Sequence, residues 1–174
     1  MKSVSAVLVP QPIAGVASSQ EAVIEVVYAS IGATALGRLI GVVMDCIPVR
    51  IWGVKVSNLI FGLPLAPLGL LCYLLRNIFG QRYELTNRSV AILSAGGARL
   101  KLVSLKDIAE IAVEVRSGQA FSHAADLMIL NSKGDESLRL PGVPRPDRFR
   151  RVILDARDAR VQADDSLALI SKRS

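Results

Sequence analysis

Residue types that build enzyme centres are scarce in this chain. It holds one histidine, two cysteines, one Trp, three Tyr and four Phe among 174 residues. Cys46 and Cys72 give neither a disulfide framework nor the paired spacing of a zinc site. His123 has Ser122 beside it and Asp126 three residues on. A catalytic triad needs groups that converge in space, so His123 reads as a loop histidine. Gly96-Gly97 is a turn signal without the lysine and following helix of a phosphate loop. The acidic pairs Asp135-Glu136 and Asp164-Asp165 sit in a turn and near the chain end, where solvated charge is the ordinary reading. No catalytic residue, metal or cofactor is expected. Nucleic acid is also a poor match, because Phe149 is the one aromatic residue interleaved with the basic ones.

Charge is absent from one long stretch. Residues 56–75 (VSNLIFGLPLAPLGLLCYLL) carry none, and eleven of the twenty are Val, Leu, Ile or Phe. At ~1.5 Å per residue, about twenty helical residues match the ~30 Å hydrocarbon core of a bilayer. At roughly −0.3 to −0.6 kcal/mol each, the eleven favour insertion by about 3–7 kcal/mol. The competing reading is a buried soluble helix, but soluble helices this apolar on every side are uncommon. A membrane span is therefore expected over 56–75, kinked near Pro64 and Pro67. Trp52 precedes it, and Tyr73 and Phe79 sit at and beyond its far end, as interfacial anchors do.

A second apolar stretch, 31–45, is interrupted by Arg38. Arginine at mid-bilayer costs about 2.5–3.5 kcal/mol, much of what so short a stretch gains. A short second span with a snorkelling Arg38, a re-entrant helix and an interfacial amphipathic helix all stay open. Ala33, Gly37 and Gly41 recur every four residues and form a smooth helical stripe. Such a stripe lets a helix pack closely on the 56–75 helix or on another copy of the chain. Chance in a Gly/Ala-rich stretch explains it equally well. The membrane region is thus placed at 31–76. Before it, residues 1–20 read as an irregular tail, too short in apolar run before Pro10 and Pro12 for a signal peptide. EAVIEVVYAS (21–30) is β-branched and reads as an extended lead-in.

From Gln81 the texture changes to short β-type segments. RYELT, NRSVAIL and RLKLVSL are separated by turn signals, SAGGA among them. SLKD (104–107) resembles a capping box. IAEIAVEV (108–115) alternates, placing Ile111, Val113 and Val115 opposite Glu110 and Glu114. ADLMILN (125–131), a Ser-Lys-Gly-Asp turn and SLRL (137–140) complete an antiparallel meander. PGVPRPD (141–147) then breaks the pattern and starts a helix, with Pro146 in its first turn and Asp147 at its positive end. Phe149, Val152, Ile153 and Ala156 form the stripe expected to cap a sheet. The helix should continue in some form to about residue 170, with 81–162 as the domain and 163–174 as a tail.

Positive charge concentrates on this half. From Arg76 onward there are 17 Lys and Arg against 12 Asp and Glu, or +5 of the net +6. Arg145, Arg148, Arg150 and Arg151 form the densest cluster. They suit contact with anionic lipid headgroups, at roughly 1 kcal/mol per basic residue. They equally suit a salt-bridged helix face, since Asp147 sits four residues before Arg151. The flanks of the apolar run tie for positive charge, with Arg38, Arg50 and Lys55 before it and Arg76, Arg82 and Arg88 after it. Charge alone therefore assigns no topology.

YELTNRSV (83–90) resembles the Y-x-L-T-N-x-R-hydrophobic opening of the bacterial pleckstrin-homology-like domains, with the arginine one place early. VSLKDIAEI (103–111) is similar to the apolar strand, turn and Asp-Ile step that follow in that family. The single helix after a proline-rich break and the Glu-containing lead-in 21–30 fit as well. The resemblance covers about residues 21–160. It implies an α+β protein in which membrane-anchoring helices precede a seven-stranded, bent antiparallel sheet capped by one C-terminal helix. It also implies a cytoplasmic domain at the inner membrane, and it implies no particular ligand. The expected role is binding or scaffolding, through a protein partner or self-association at the bilayer surface. Anionic-lipid binding and service as an accessory subunit of a larger membrane complex are the alternatives.

Overall fold

The computed structural model describes residues 21–171, so the tail and signal-peptide expectations for residues 1–20 lie outside it. The fold is α+β, and every sheet is antiparallel. Strand β1 (Val23–Tyr28) is followed by a short 3-10 turn (Ile31–Ala33) and helix α1 (Ala35–Asp45). A two-stranded ribbon, β2 (Arg50–Ile51) and β3 (Val54–Lys55), leads into helix α2 (Val56–Phe79). Strands β4 (Arg82–Thr86), β5 (Ser89–Leu93) and β6 (Arg99–Ser104) join β1 in one sheet of order β1-β4-β5-β6. Strands β7 (Glu110–Glu114), β8 (Ala124–Leu130) and β9 (Glu136–Pro144) form a second sheet in sequence order. Helix α3 (Pro146–Ser171) ends the described chain.

The helices are an excursion from a hairpin. Tyr28 pairs with Arg82, and the Ala29 N–H donates to the Gln81 carbonyl at 3.3 Å. The chain therefore leaves the sheet and rejoins it at one point, with α1 and α2 forming an antiparallel arm between adjacent strands. Apart from Ala29, every buried member of the apolar core lies between Tyr83 and Ile153. Leu85, Val90, Ile111, Leu127, Ile129 and Leu140 supply the facing sides of the two sheets, and all are fully buried. Phe149 and Ile153, one turn apart on α3, close that core. Burying each such side chain stabilises the fold by about 1.5–3 kcal/mol.

Two elements extend further than their local sequence signals. β9 runs through the expected breaker as far as Pro144. Its one ladder partner is β8, so Pro141 and Pro144, which lack an N–H, are tolerated at this sheet edge. α2 continues to Phe79, past Leu75 where the uncharged run ends, whereas α3 ends at Ser171, close to the expected residue 170. β7 stops earlier than its alternation: Ile111 is buried and Val113 half-buried, but Val115 lies past the strand and is exposed.

α2 has 24 residues, a length of about 36 Å. Among the described residues it is the one helix long and apolar enough to cross a membrane, and none of its apolar window is buried within the molecule. α1 has 11 residues, about 16 Å, roughly half a hydrocarbon core. It is too short to be a second span by itself.

Candidate functional site

The arm is closed at its tip and welded at its base. Thr34 caps α1 by accepting from the Gly37 N–H at 3.0 Å, while its hydroxyl donates to the Ile31 carbonyl at 2.8 Å. At the tip the Ser57 hydroxyl donates to the Met44 carbonyl, Lys55 pairs with Asp45, and the Val56 N–H reaches the Val49 carbonyl at 2.9 Å. Trp52 occupies the left-handed backbone region in the β2–β3 turn, with its side chain wholly exposed. Tyr73 and Phe79 are also exposed, on the C-terminal half of α2. The three expected anchors thus lie at the tip and the base of the arm.

The small-residue stripe is already occupied, and by the β-domain. A Cβ added to Gly41 would fall 2.0 Å from the Gly118 carbonyl oxygen, and one added to Gly118 would fall 2.0 Å from that of Arg38. The two backbones are in contact, with Gly118 at φ +81°. Ala33 packs in the same way on Gly142, whereas Gly37 faces the Ile31 carbonyl of the 3-10 turn before α1. Ala33 and Gly41 therefore meet backbone of the β-domain.

Beneath this contact lies a buried polar knot. Asp126 is 1 % exposed on an otherwise apolar strand. Its Oδ1 accepts from the Gln119 side chain at 2.6 Å and from the Gly142 N–H at 2.9 Å. Its Oδ2 faces Arg116 Nε at 3.2 Å and Arg139 at 3.9 Å. The Gln119 amide also donates to the Gly32 carbonyl at 3.2 Å, so one carboxylate ties the turn before α1 to β9 and to the β7–β8 connection. Asp126→Asn keeps one acceptor oxygen but loses the charge that Arg116 faces. It should cost about 1–3 kcal/mol, read as a lower midpoint in thermal unfolding of the detergent-solubilised chain. An unchanged midpoint would remove the knot from the account of stability.

Beside the knot, the Tyr83 hydroxyl donates to the Pro141 carbonyl at 2.5 Å. Burial raises its pKa well above the usual phenol range, against the opposing charge of Arg76. Two residues before β1, partial burial pushes the Glu21 carboxylate upward. Hydrogen bonds from Thr86, Arg99 and Ser89 outweigh it and hold the group below its ordinary range.

The arginine cluster does not converge. Arg148 pairs with Glu25 of β1 at 3.3 Å. With Arg145 it borders an open groove of about 430 Å³, floored by Val26, Tyr28 and Phe149. Arg150 is half-buried with its Nε unpaired, and Arg151 is exposed. Farther along α3, Arg157 donates to the Ala109 carbonyl at 2.9 Å, and Asp164 bridges Arg160 and Lys106. Much of this charge fastens α3 to the domain.

Among the described residues no three His, Cys, Asp or Glu side chains gather as a metal site. His123 caps a 3-10 turn (Ala120–Ser122) in a left-handed conformation, and its carbonyl accepts from the Arg145 N–H at 3.1 Å. The residues that sequence reasoning missed are Gly118, Gln119, Asp126 and Gly142. One signal was available: a lone aspartate inside the apolar run ADLMIL must find partners if the run is a buried strand. No family model, curated protein or solved structure matches this chain.

Proposed function

We propose that this chain is a membrane-anchored binding module: a pleckstrin-homology-like β-domain held at the cytoplasmic face of a bacterial membrane by the α1–α2 arm. One observation carries the reading. α2 leaves Leu59, Ile60, Leu63, Leu70, Leu71 and Leu74 exposed, with Leu63 at 85 %. Moving side chains of this kind out of water gains about 1.5–3 kcal/mol each, so an uncovered helix of them calls for an apolar surrounding. The sheets add support for the domain type, since four strands plus three, closed by one helix, is the architecture that the YELTNRSV resemblance implies. Binding is favoured over catalysis because the buried polar groups are spent on structure: Ser57, Gln119 and Asp126 hold the arm, and Thr86, Asn87 and Ser89 hold residues 21 and 22. The outer strands of the first sheet present apolar side chains, Ile24, Val26 and Tyr28 on β1 and Leu100 and Leu102 on β6. Such edges accept a protein partner or a second copy of the chain by strand addition. Lipid recognition by the arginines has less support, because Arg148 is engaged by Glu25.

The test is fractionation of cells producing the full-length chain. It should sediment with membranes, resist alkaline carbonate and be released by mild detergent. Recovery as a folded monomer in a detergent-free supernatant would overturn the reading.

A further inference from the structure

α2 is long enough to cross a bilayer, yet the β-domain holds both of its ends. At the C-terminal end, Arg76 Nε donates to the Ala29 carbonyl at 3.4 Å, and Gln81 and Arg82 pair with Ala29 and Tyr28. At the N-terminal end, Ser57 bonds to the Met44 carbonyl. Met44 lies one turn beyond Gly41, about 5 Å along α1, and Gly41 touches the Gly118 backbone of the β7–β8 connection. Between Ser57 and Phe79 the helix rises about 33 Å.

These facts restrict how the arm can meet a membrane. Set upright across a hydrocarbon core of ~30 Å, α2 would have its ends on opposite sides. The loop at Gly118 would then sink into the hydrocarbon, bringing Arg116 and the Asp126 carboxylate with it. Each charged residue costs about 2.5–3.5 kcal/mol at that depth, and irregular backbone finds no partners in lipid. Lying in the plane of the membrane, the arm incurs neither cost. α1 leaves Leu36, Leu39 and Val42 uncovered, and α2 leaves Leu63, Leu70 and Leu71, enough apolar surface for one leaflet. Trp52, beside Arg50 and Lys55 at the tip, then sits at headgroup depth rather than on the far side.

We infer that the arm is monotopic: α1 and α2 lie together in one leaflet, with the arm tip and the β-domain on the same side of the membrane. This rests on the membrane reading above and replaces the span expected over 56–75. Cys46, exposed at the tip, is a native reporter, and a Lys133→Cys substitution in the exposed β8–β9 turn supplies a second on the domain. Sealed membrane vesicles of known orientation, made with the full-length chain, are treated with an impermeant maleimide, and labelled peptides are read by mass spectrometry. Each site is thereby scored separately from Cys72.

Both sites should react in the same vesicle orientation. Both should be protected in the opposite one, with labelling at least tenfold higher after permeabilisation. Reaction of Cys46 only where the β8–β9 reporter is protected would establish a crossing helix and overturn the inference. Absence of the chain from the membrane fraction would instead defeat the membrane reading itself, a distinguishable result.

Discussion

A chain in which residues 30–80 are replaced by an Asn-Gly turn should fold and remain in the supernatant. Tyr28 and Arg82 are already paired, and Ala29 already meets Gln81, so two residues of a type I′ turn suffice to close the hairpin. The apolar core survives the cut, because apart from Ala29 its buried members lie between Tyr83 and Ile153. The losses are local. The Ser30 N–H bond to Gly142 at 2.8 Å and the Gln119 bond to Gly32 disappear, at about 0.5–1.5 kcal/mol each. The gain in solubility is far larger. Removing about 3–7 kcal/mol of insertion energy shifts the water–membrane partition by roughly 10²- to 10⁵-fold. Ultracentrifugation with circular dichroism and a cooperative melt of the supernatant fraction reads the outcome. An aggregated or unfolded product would mean that the arm is part of the folding core, contrary to its description as an excursion.

Most of the β-domain was legible because its strands are short apolar or alternating runs set apart by turn residues. RYELT, SVAIL and RLKLVS read as strands, and Gly97, at φ +84°, turns the last two against each other. The helical stripe of Phe149 and Ile153 was equally plain, since both face one core. The path of β9 through Pro141 and Pro144 was not, because a proline is acceptable in a strand only where one side is free, a fact of sheet order. The partner of the stripe at Ala33 and Gly41 was hidden for a similar reason. Small residues advertise close approach without saying to what, and here the approach is made by Gly118 and Gly142, more than seventy positions away. Asp126 showed in the sequence as an oddity in an apolar run, but its partners come from two separate places, Arg116 and Gln119 in the β7–β8 connection and Gly142 in β9. The start and the uncharged length of α2 could be read off directly, whereas its continuation to Phe79 and the anchoring of both its ends are properties of the assembled molecule.

Gly118→Ala and Gly41→Ile should each undock α1. At Gly118 two penalties combine. A Cβ meets the Arg38 carbonyl oxygen at 2.0 Å, and φ of +81° is a region that L-residues enter at a cost of about 1–2 kcal/mol. At Gly41 the obstacle is the Gly118 carbonyl oxygen, also at 2.0 Å, and backbone cannot swing aside as a long side chain can. The expected destabilisation of the α1 contact is about 3 kcal/mol or more, near the upper end for single substitutions. Hydrogen exchange in detergent is the discriminating measurement, because it reports each element separately. Amides of α1 should exchange on the order of 100-fold faster, while those of β5 and β8 keep their protection. Gly96→Ala is the control: beyond its chain neighbours the atom nearest an added Cβ is Ser94 Oγ at 3.9 Å, and stability should stay within about 0.5 kcal/mol. If Gly41→Ile left α1 as protected as before, the helix would not be seated on Gly118, and the β-domain would no longer hold the far end of α2. A crossing helix would then again be open to this chain, so this experiment tests the premise of the one-leaflet arrangement independently of any labelling.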